Sequence, residues 1–162
     1  MADPDYLESP LVMDQVLEFL EHGGSFGDIK GYDEKDYELL YSIGHQYYSQ
    51  GKFLEAMNVF GHLVAHNHLE RKYHYALASS FQMVGDYNGA LKFYRIAFEI
   101  DPRDSSPTFH AAECLISLGR KEEAAEGLAI LADSIAKTDL DKELQTKARA
   151  LLEILRSAPK KA

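Results

Sequence analysis

Three groupings in the 162-residue chain carry side chains capable of chemistry. His62, His66 and His68 cluster, and His62 and His66 are four apart, so a helix would set both imidazoles on one face at a known metal-binding spacing. No cysteine lies nearby and no carboxylate completes the set, so a solvated helix end accounts for the cluster. His110 and Glu113 stand three apart, as in some di-metal bundles, but those centres need a second such pair and further glutamates converging on the core. Cys114, the single cysteine, occupies a place that favours a small packed residue and reads as core. Gly23-Gly24 follows no strand and lacks the Gly-Lys-Ser/Thr ending of a phosphate loop. These residues give no catalytic constellation, no metal set and no cofactor site, which leaves binding as the class of function to explain.

Composition narrows the partner. With 26 Asp and Glu against 17 Lys and Arg, the net charge is −9, and so acidic a surface repels phosphate backbones and anionic lipid. Nucleic acid and direct membrane binding are therefore not expected. At 46% hydrophobic and 27% charged residues the chain is a folded protein, not a disordered tail. One cysteine cannot close an internal disulfide, the acidic start Met1-Ala2-Asp3-Pro4-Asp5 is unlike a signal peptide, and no run of about 18 apolar residues could span a membrane; a cytosolic home is expected. Tyrosines (10) outnumber phenylalanines (8), which suits rings with one apolar face and one wet hydroxyl.

The elements that position these rings follow from an internal repeat. Gly51, Gly85 and Gly119 are spaced by 34, and so are Ala56, Ala90 and Ala124. Tyr47, Phe81 and Leu115 precede the glycines in phase, and Phe60, Tyr94 and Leu128 follow them. Each unit reads as a helical hairpin: Glu38–Gln50 with Phe53–His66, Lys72–Val84 with Tyr87–Ile100, and Ser106–Leu118 with Lys121–Ala136. A glycine just past a helix supplies the left-handed conformation that ends it, and the alanine lets the paired helices approach. Ser105-Ser106-Pro107 is a good helix start. The pattern resembles the tetratricopeptide repeat at residues 37–70, 71–104 and 105–138, departing from it at the bulky fourth position, here Leu40, His74 and Thr108. The expected fold is all-α, a three-repeat superhelix of helical hairpins with an N-terminal helix and a C-terminal capping helix.

Residues 1–36 read as a tail, a helix opened by Ser9-Pro10 and closed by Gly23-Gly24-Ser25, and a short connector. The apolar stripe of that helix, Val12, Val16, Leu17, Phe19 and Leu20, either caps the first repeat or meets a second copy of the chain in a homodimer. Residues 139–162 read as the capping helix and a tail. Its apolar positions are Leu140, Leu144, Ala148, Leu151, Leu152 and Leu155, and Asp141, Lys142, Glu143, Lys147 and Arg149 supply the polar face that a terminal helix needs.

In such an array the first helix of each hairpin lines the inner face. The inward positions are Tyr41, His45 and Tyr48; Tyr75, Ser79 and Gln82; and Phe109, Glu113 and Ile116, with an aromatic ring at the same place in every unit. Either neighbouring helices bury these rings or they line a groove for an extended apolar peptide; a whole row at one repeat position favours the groove.

The arrangement resembles the class II type III secretion chaperones, the SycD/LcrH/IpgC family. Phe19-Leu20-Glu21-His22-Gly23-Gly24-Ser25, Leu39–Gly44, Tyr48–Phe53 and, most distinctively, Phe109-His110-Ala111-Ala112-Glu113-Cys114-Leu115 carry the likeness. It implies a bacterial cytoplasmic chaperone that binds hydrophobic translocator proteins through a short Pro- and Leu-containing segment in the groove, with no cofactor and no enzymatic activity. Tyr41, His45, Tyr48, Tyr75 and Phe109 would line the pockets, with His45 where an apolar residue is common in the family. The alternative is a general repeat adaptor for another partner, such as the acidic tail of a heat-shock chaperone. Those adaptors resemble one another in a Lys/Asn clamp, whose places are here Tyr41 and His45.

If the N-terminal stripe joins two copies, Leu17→Glu yields monomers by light scattering; an unchanged mass counts against that interface.

Overall fold

The computed structural model describes residues 18–157, and Val12, Val16 and Leu17 lie outside them. Among the described residues the secondary structure is entirely helical. Residues 18–21 are helical, and eight further helices follow: α1 (Phe26–Lys30), α2 (Glu34–Ser49), α3 (Phe53–His66), α4 (Arg71–Met83), α5 (Tyr87–Ile100), α6 (Ser106–Ser117), α7 (Lys121–Asp133) and α8 (Asp139–Ser157). From α2 to α8 each helix packs chiefly on its neighbours in sequence, α1 leans on α3, and α6 also touches α8. That connectivity is a stack of hairpins, α2–α3, α4–α5 and α6–α7, closed by α8.

The repeat glycines do what their spacing predicts. Gly51, Gly85 and Gly119 have φ of 75°, 83° and 77°, the left-handed region where a β-carbon is strained. Beyond them Ala56, Ala90 and Ala124 are fully buried, and Phe60, Tyr94 and Leu128 are sealed at the hairpin contacts. Burying each of these large side chains contributes about 1.5–3 kcal/mol.

Several boundaries shift for local reasons. The first repeat helix starts at Glu34, ahead of Glu38, in the acidic stretch Asp33–Asp36 that suits a helix start: Asp33 and Asp36 form a reciprocal cap, each side chain accepting the other's backbone N–H at 3.0 Å. The connector after Gly24 is itself a short helix, capped the same way by Ser25 and Asp28. The third hairpin ends at Asp133, not Ala136: Ser134 turns extended, its hydroxyl donating to the Leu131 carbonyl, and Gln145 donates to the Ser134 carbonyl at 2.6 Å. Ile135 is left 86% exposed. In α8 the stripe is rotated from the expected one. Leu144, Ala148 and Leu152 are buried with Leu151 and Leu155 against them, but Leu140 is exposed. Asp141, expected on the polar face, is instead buried as a cap, accepting from the backbone of Lys137 and Thr138 while Thr138 Oγ1 accepts from its N–H.

At the irregular fourth position of the second repeat, His74 is buried at 3% exposure. Its Nε2 donates to the His68 carbonyl at 2.7 Å, while Nδ1 has no partner and the Phe93 ring lies 6.1 Å away. Burial holds the pKa of His74 below its ordinary 6.5, and burial does the same at His62. The unfolded chain therefore binds protons that the folded chain refuses, so stability rises with pH through the window below 6.5 and is lost as pH falls through it. The urea midpoint is expected to drop between pH 7 and 5.5, and His74→Gln, which keeps a donor for the His68 carbonyl, to diminish that drop. An equally steep drop in the variant would contradict this role for His74.

Candidate functional site

The first helices of the three hairpins converge on one open cavity of about 430 Å³. Tyr41, His45 and Tyr48 enter from α2, Tyr75, Ser79 and Gln82 from α4, and Glu113 from α6. Phe60 of α3 and Tyr94 of α5 form the base, and His110 of α6 stands beside Glu113. The α-helical repeat sets this up, because residues three or four apart share a face and the 34-residue period returns the same face to the same side.

The aromatic lining is interlocked. His45 meets the Tyr41 ring edge-on at 4.7 Å and the Phe60 ring at 5.8 Å; Tyr75 sits 5.6 Å from Tyr94; and His110 stacks on Tyr94 at 5.9 Å. Edge-on and offset contacts of this kind fix ring orientation and leave one face of a ring free. Burial raises the phenol pKa of Tyr41, Tyr48, Tyr75 and Tyr94, with Tyr75 pushed up to about 12, so all four remain neutral hydroxyls at physiological pH.

A polar chain runs across the base. Tyr94 donates to Gln82 Oε1 at 2.7 Å, and its oxygen lies 3.1 Å from Ser79 Oγ. Gln82 Nε2 donates to Glu113 Oε2 at 3.3 Å, and His110 Nδ1 lies 2.8 Å from the same oxygen. The hydrogen bond from His110 is the main reason the Glu113 carboxyl lies below its usual range, against the opposing effect of burial. The site thus combines apolar ring faces with a few oriented polar atoms, which is how a surface holds an extended chain while still reading its backbone.

A tetratricopeptide-repeat family profile matches residues 83–152. The low calcium response locus protein H of Yersinia pestis is 31% identical over 138 residues, covering 85% of this chain and 82% of that protein. The chain belongs to the class II type III secretion chaperones. Two solved structures carry the likeness into three dimensions. A type III secretion complex from Aeromonas hydrophila superimposes at a TM-score of 0.84 and 28% identity, covering 89% of this chain and 96% of that one. The Yersinia enterocolitica chaperone SycD, solved with a peptide of the translocator YopD, superimposes at 0.72 and 31%, covering 76% of this chain and 95% of that one.

Seven of the nine expected groove residues of the chaperone line the cavity: Tyr41, His45, Tyr48, Tyr75, Ser79, Gln82 and Glu113. Phe109 and Ile116 do not. Phe109 is 5% exposed and belongs to the apolar cluster of Leu128, Leu131, Leu144, Ala148 and Leu152, against which Ile116 also packs. The stripe of α8 joins the third repeat there and takes in the ring that the repeat position alone assigns to the groove. His110, the next residue, enters the cavity instead; its spacing of three from Glu113 was the visible signal, and it hydrogen-bonds to that carboxylate. His62 and His66 stack on each other at 4.0 Å on α3, with Tyr32 hydrogen-bonded to His62. Among the described residues no group of three or more His, Cys, Asp or Glu is placed to hold a metal ion. Cys114 is fully buried beside Tyr94 and Ala90, and burial pushes its thiol up to about 12. Of the N-terminal stripe, Phe19 is exposed and Leu20 half-buried. No helix among the described residues is long and apolar enough to cross a membrane.

Because Phe109 is core, Phe109→Ala should cost about 3–5 kcal/mol of folding stability. Tyr48→Ala, at the half-buried rim, should cost clearly less. Chemical denaturation measures both, and equal losses would place Phe109 outside the core.

Proposed function

We propose that the chain is a cytoplasmic chaperone of a bacterial type III secretion system that holds hydrophobic translocator proteins soluble and apart before secretion. It grips an extended apolar segment of the cargo in the groove formed by α2, α4 and α6 and acts by binding, not catalysis. The observation that carries this reading is one cavity shared by three successive hairpins, to which the first two contribute tyrosines and the third His110 and Glu113. Half-buried rings bury further apolar area when a peptide seats on them, at about 25 cal/mol per Å², and their hydroxyls can pair with its backbone. SycD, 31% identical, binds a YopD peptide, and the related PcrH, 30% identical, binds the chaperone-binding region of PopD. An adaptor for acidic tails would want cations in the groove. The described residues lining the cavity include Glu113 and neither Lys nor Arg.

Homodimerisation through the N-terminal stripe forms the second part of the proposal. Phe19 is an exposed ring at the end of that stripe, and SycD has been solved as an alternative dimer.

The test is co-expression with a hydrophobic translocator. The wild-type chaperone should keep the translocator soluble and co-purify with it, and Tyr41→Ala combined with Tyr75→Ala should lower recovery by about tenfold or more while the variant stays folded by circular dichroism. Translocator solubility indifferent to the chaperone would defeat the proposal.

A further inference from the structure

The polar chain at the base of the groove has a direction. Tyr94 has one hydroxyl proton and gives it to Gln82 Oε1, so Ser79 must donate to Tyr94. Gln82 passes its amide N–H to Glu113, and an ionised carboxylate can only accept, so His110 Nδ1 donates as well. Every bond from Ser79 onward therefore runs toward Glu113, and both final bonds end on Oε2. No hydrogen bond from a described side chain or backbone group reaches Oε1. A carboxylate has about four lone-pair positions, so the chain ends in unspent acceptor capacity at the groove surface.

We propose that Glu113 makes the groove select cargo segments that present a cationic side chain, Lys or Arg, whose head group seats on the Glu113 carboxylate among the tyrosine rings. This rests on the groove-binding reading above and specifies what the groove reads besides apolar surface. Three observations favour a cation over a neutral donor. Among the described residues, the cavity is lined by this carboxylate and by neither Lys nor Arg. Lys147 of α8 also adds to the field on Glu113, but it is paired with Glu143 at 2.6 Å. The half-buried Tyr48 ring that shares the cavity is neutral and presents a π-face that attracts cations, whereas Arg71 already lies over the Tyr75 ring at 5.8 Å and Tyr94 is sealed. A cationic head group adds Coulomb attraction to the charge-assisted hydrogen bond that any donor makes to the carboxylate, and an acidic side chain at the same place is repelled. The His110 bond, in turn, holds the Glu113 carboxyl below its ordinary range and favours its ionised form. His110 is thus a positioning residue for the selecting carboxylate.

The test is a synthetic peptide library with fixed Leu and Pro positions and every other position randomised, panned on the full chain and on Glu113→Gln. Wild type should enrich Lys or Arg at one register, and the enrichment should vanish on Glu113→Gln while peptides still bind. By fluorescence anisotropy, replacing that Lys by Gln in a recovered peptide should weaken binding to wild type about tenfold and leave binding to Glu113→Gln unchanged. Absence of basic enrichment, or an equal Lys-to-Gln penalty on both proteins, overturns the proposal. Recovery of no peptide at all overturns the groove reading itself. Should Glu113→Gln fail to fold, the peptide series on wild type decides: affinity falling from Lys to Gln to Glu supports the proposal, and a flat series overturns it.

Discussion

The close approach of two helices within each hairpin is the contact on which the rest of the molecule depends. Ala56, Ala90 and Ala124 are fully buried, and the large side chains four residues on, Phe60, Tyr94 and Leu128, are sealed beside their partner helices. A larger residue at any of the three alanines would push the hairpin open and displace the first helix, whose inner face carries the groove. Protein interiors are packed densely enough that such a displacement is transmitted, not absorbed. The groove is therefore a by-product of hairpin geometry repeated at a constant interval, and its rings need no loop to position them.

That economy explains why the site is dense in aromatic and poor in charged side chains. Phe60 and Tyr94 belong both to the hairpin cores and to the base of the cavity, so the same sealed rings stabilise the fold and support the exposed lining above them. Polar atoms at such a depth must be hydrogen-bonded, and the chain through Ser79, Tyr94, Gln82, Glu113 and His110 meets that demand by spanning three helices. Satisfying buried groups and orienting an acceptor toward the groove are two consequences of the same hydrogen bonds.

The irregular fourth positions show how a repeat tolerates poor matches. His74 sits where a bulky apolar residue is usual, and it is accommodated by one bond to the His68 carbonyl, with its other nitrogen left unpaired. The result is a fold whose stability leans on neutral pH. At the C-terminal end α8 replaces a fourth repeat: its apolar stripe covers the third hairpin, and its buried Asp141 caps its own start.

Much of this protein was legible in the residues alone. The 34-residue spacing of Gly51, Gly85 and Gly119 and of three alanines determines the hairpins, because a left-handed turn and a small contact residue have strict local requirements. The same period determines which face lines the groove, hence seven of its residues. Local pattern could not decide how α8 would rotate about its axis. That depends on which of its apolar residues fit the third repeat, and the fit buried Phe109 and Asp141 and exposed Leu140. Nor could spacing show that His110 would replace Phe109 in the cavity and aim a hydrogen bond at Glu113. Periodicity determines which residues share a face; only tertiary packing decides which part of that face is covered, because coverage is set by surfaces distant in sequence.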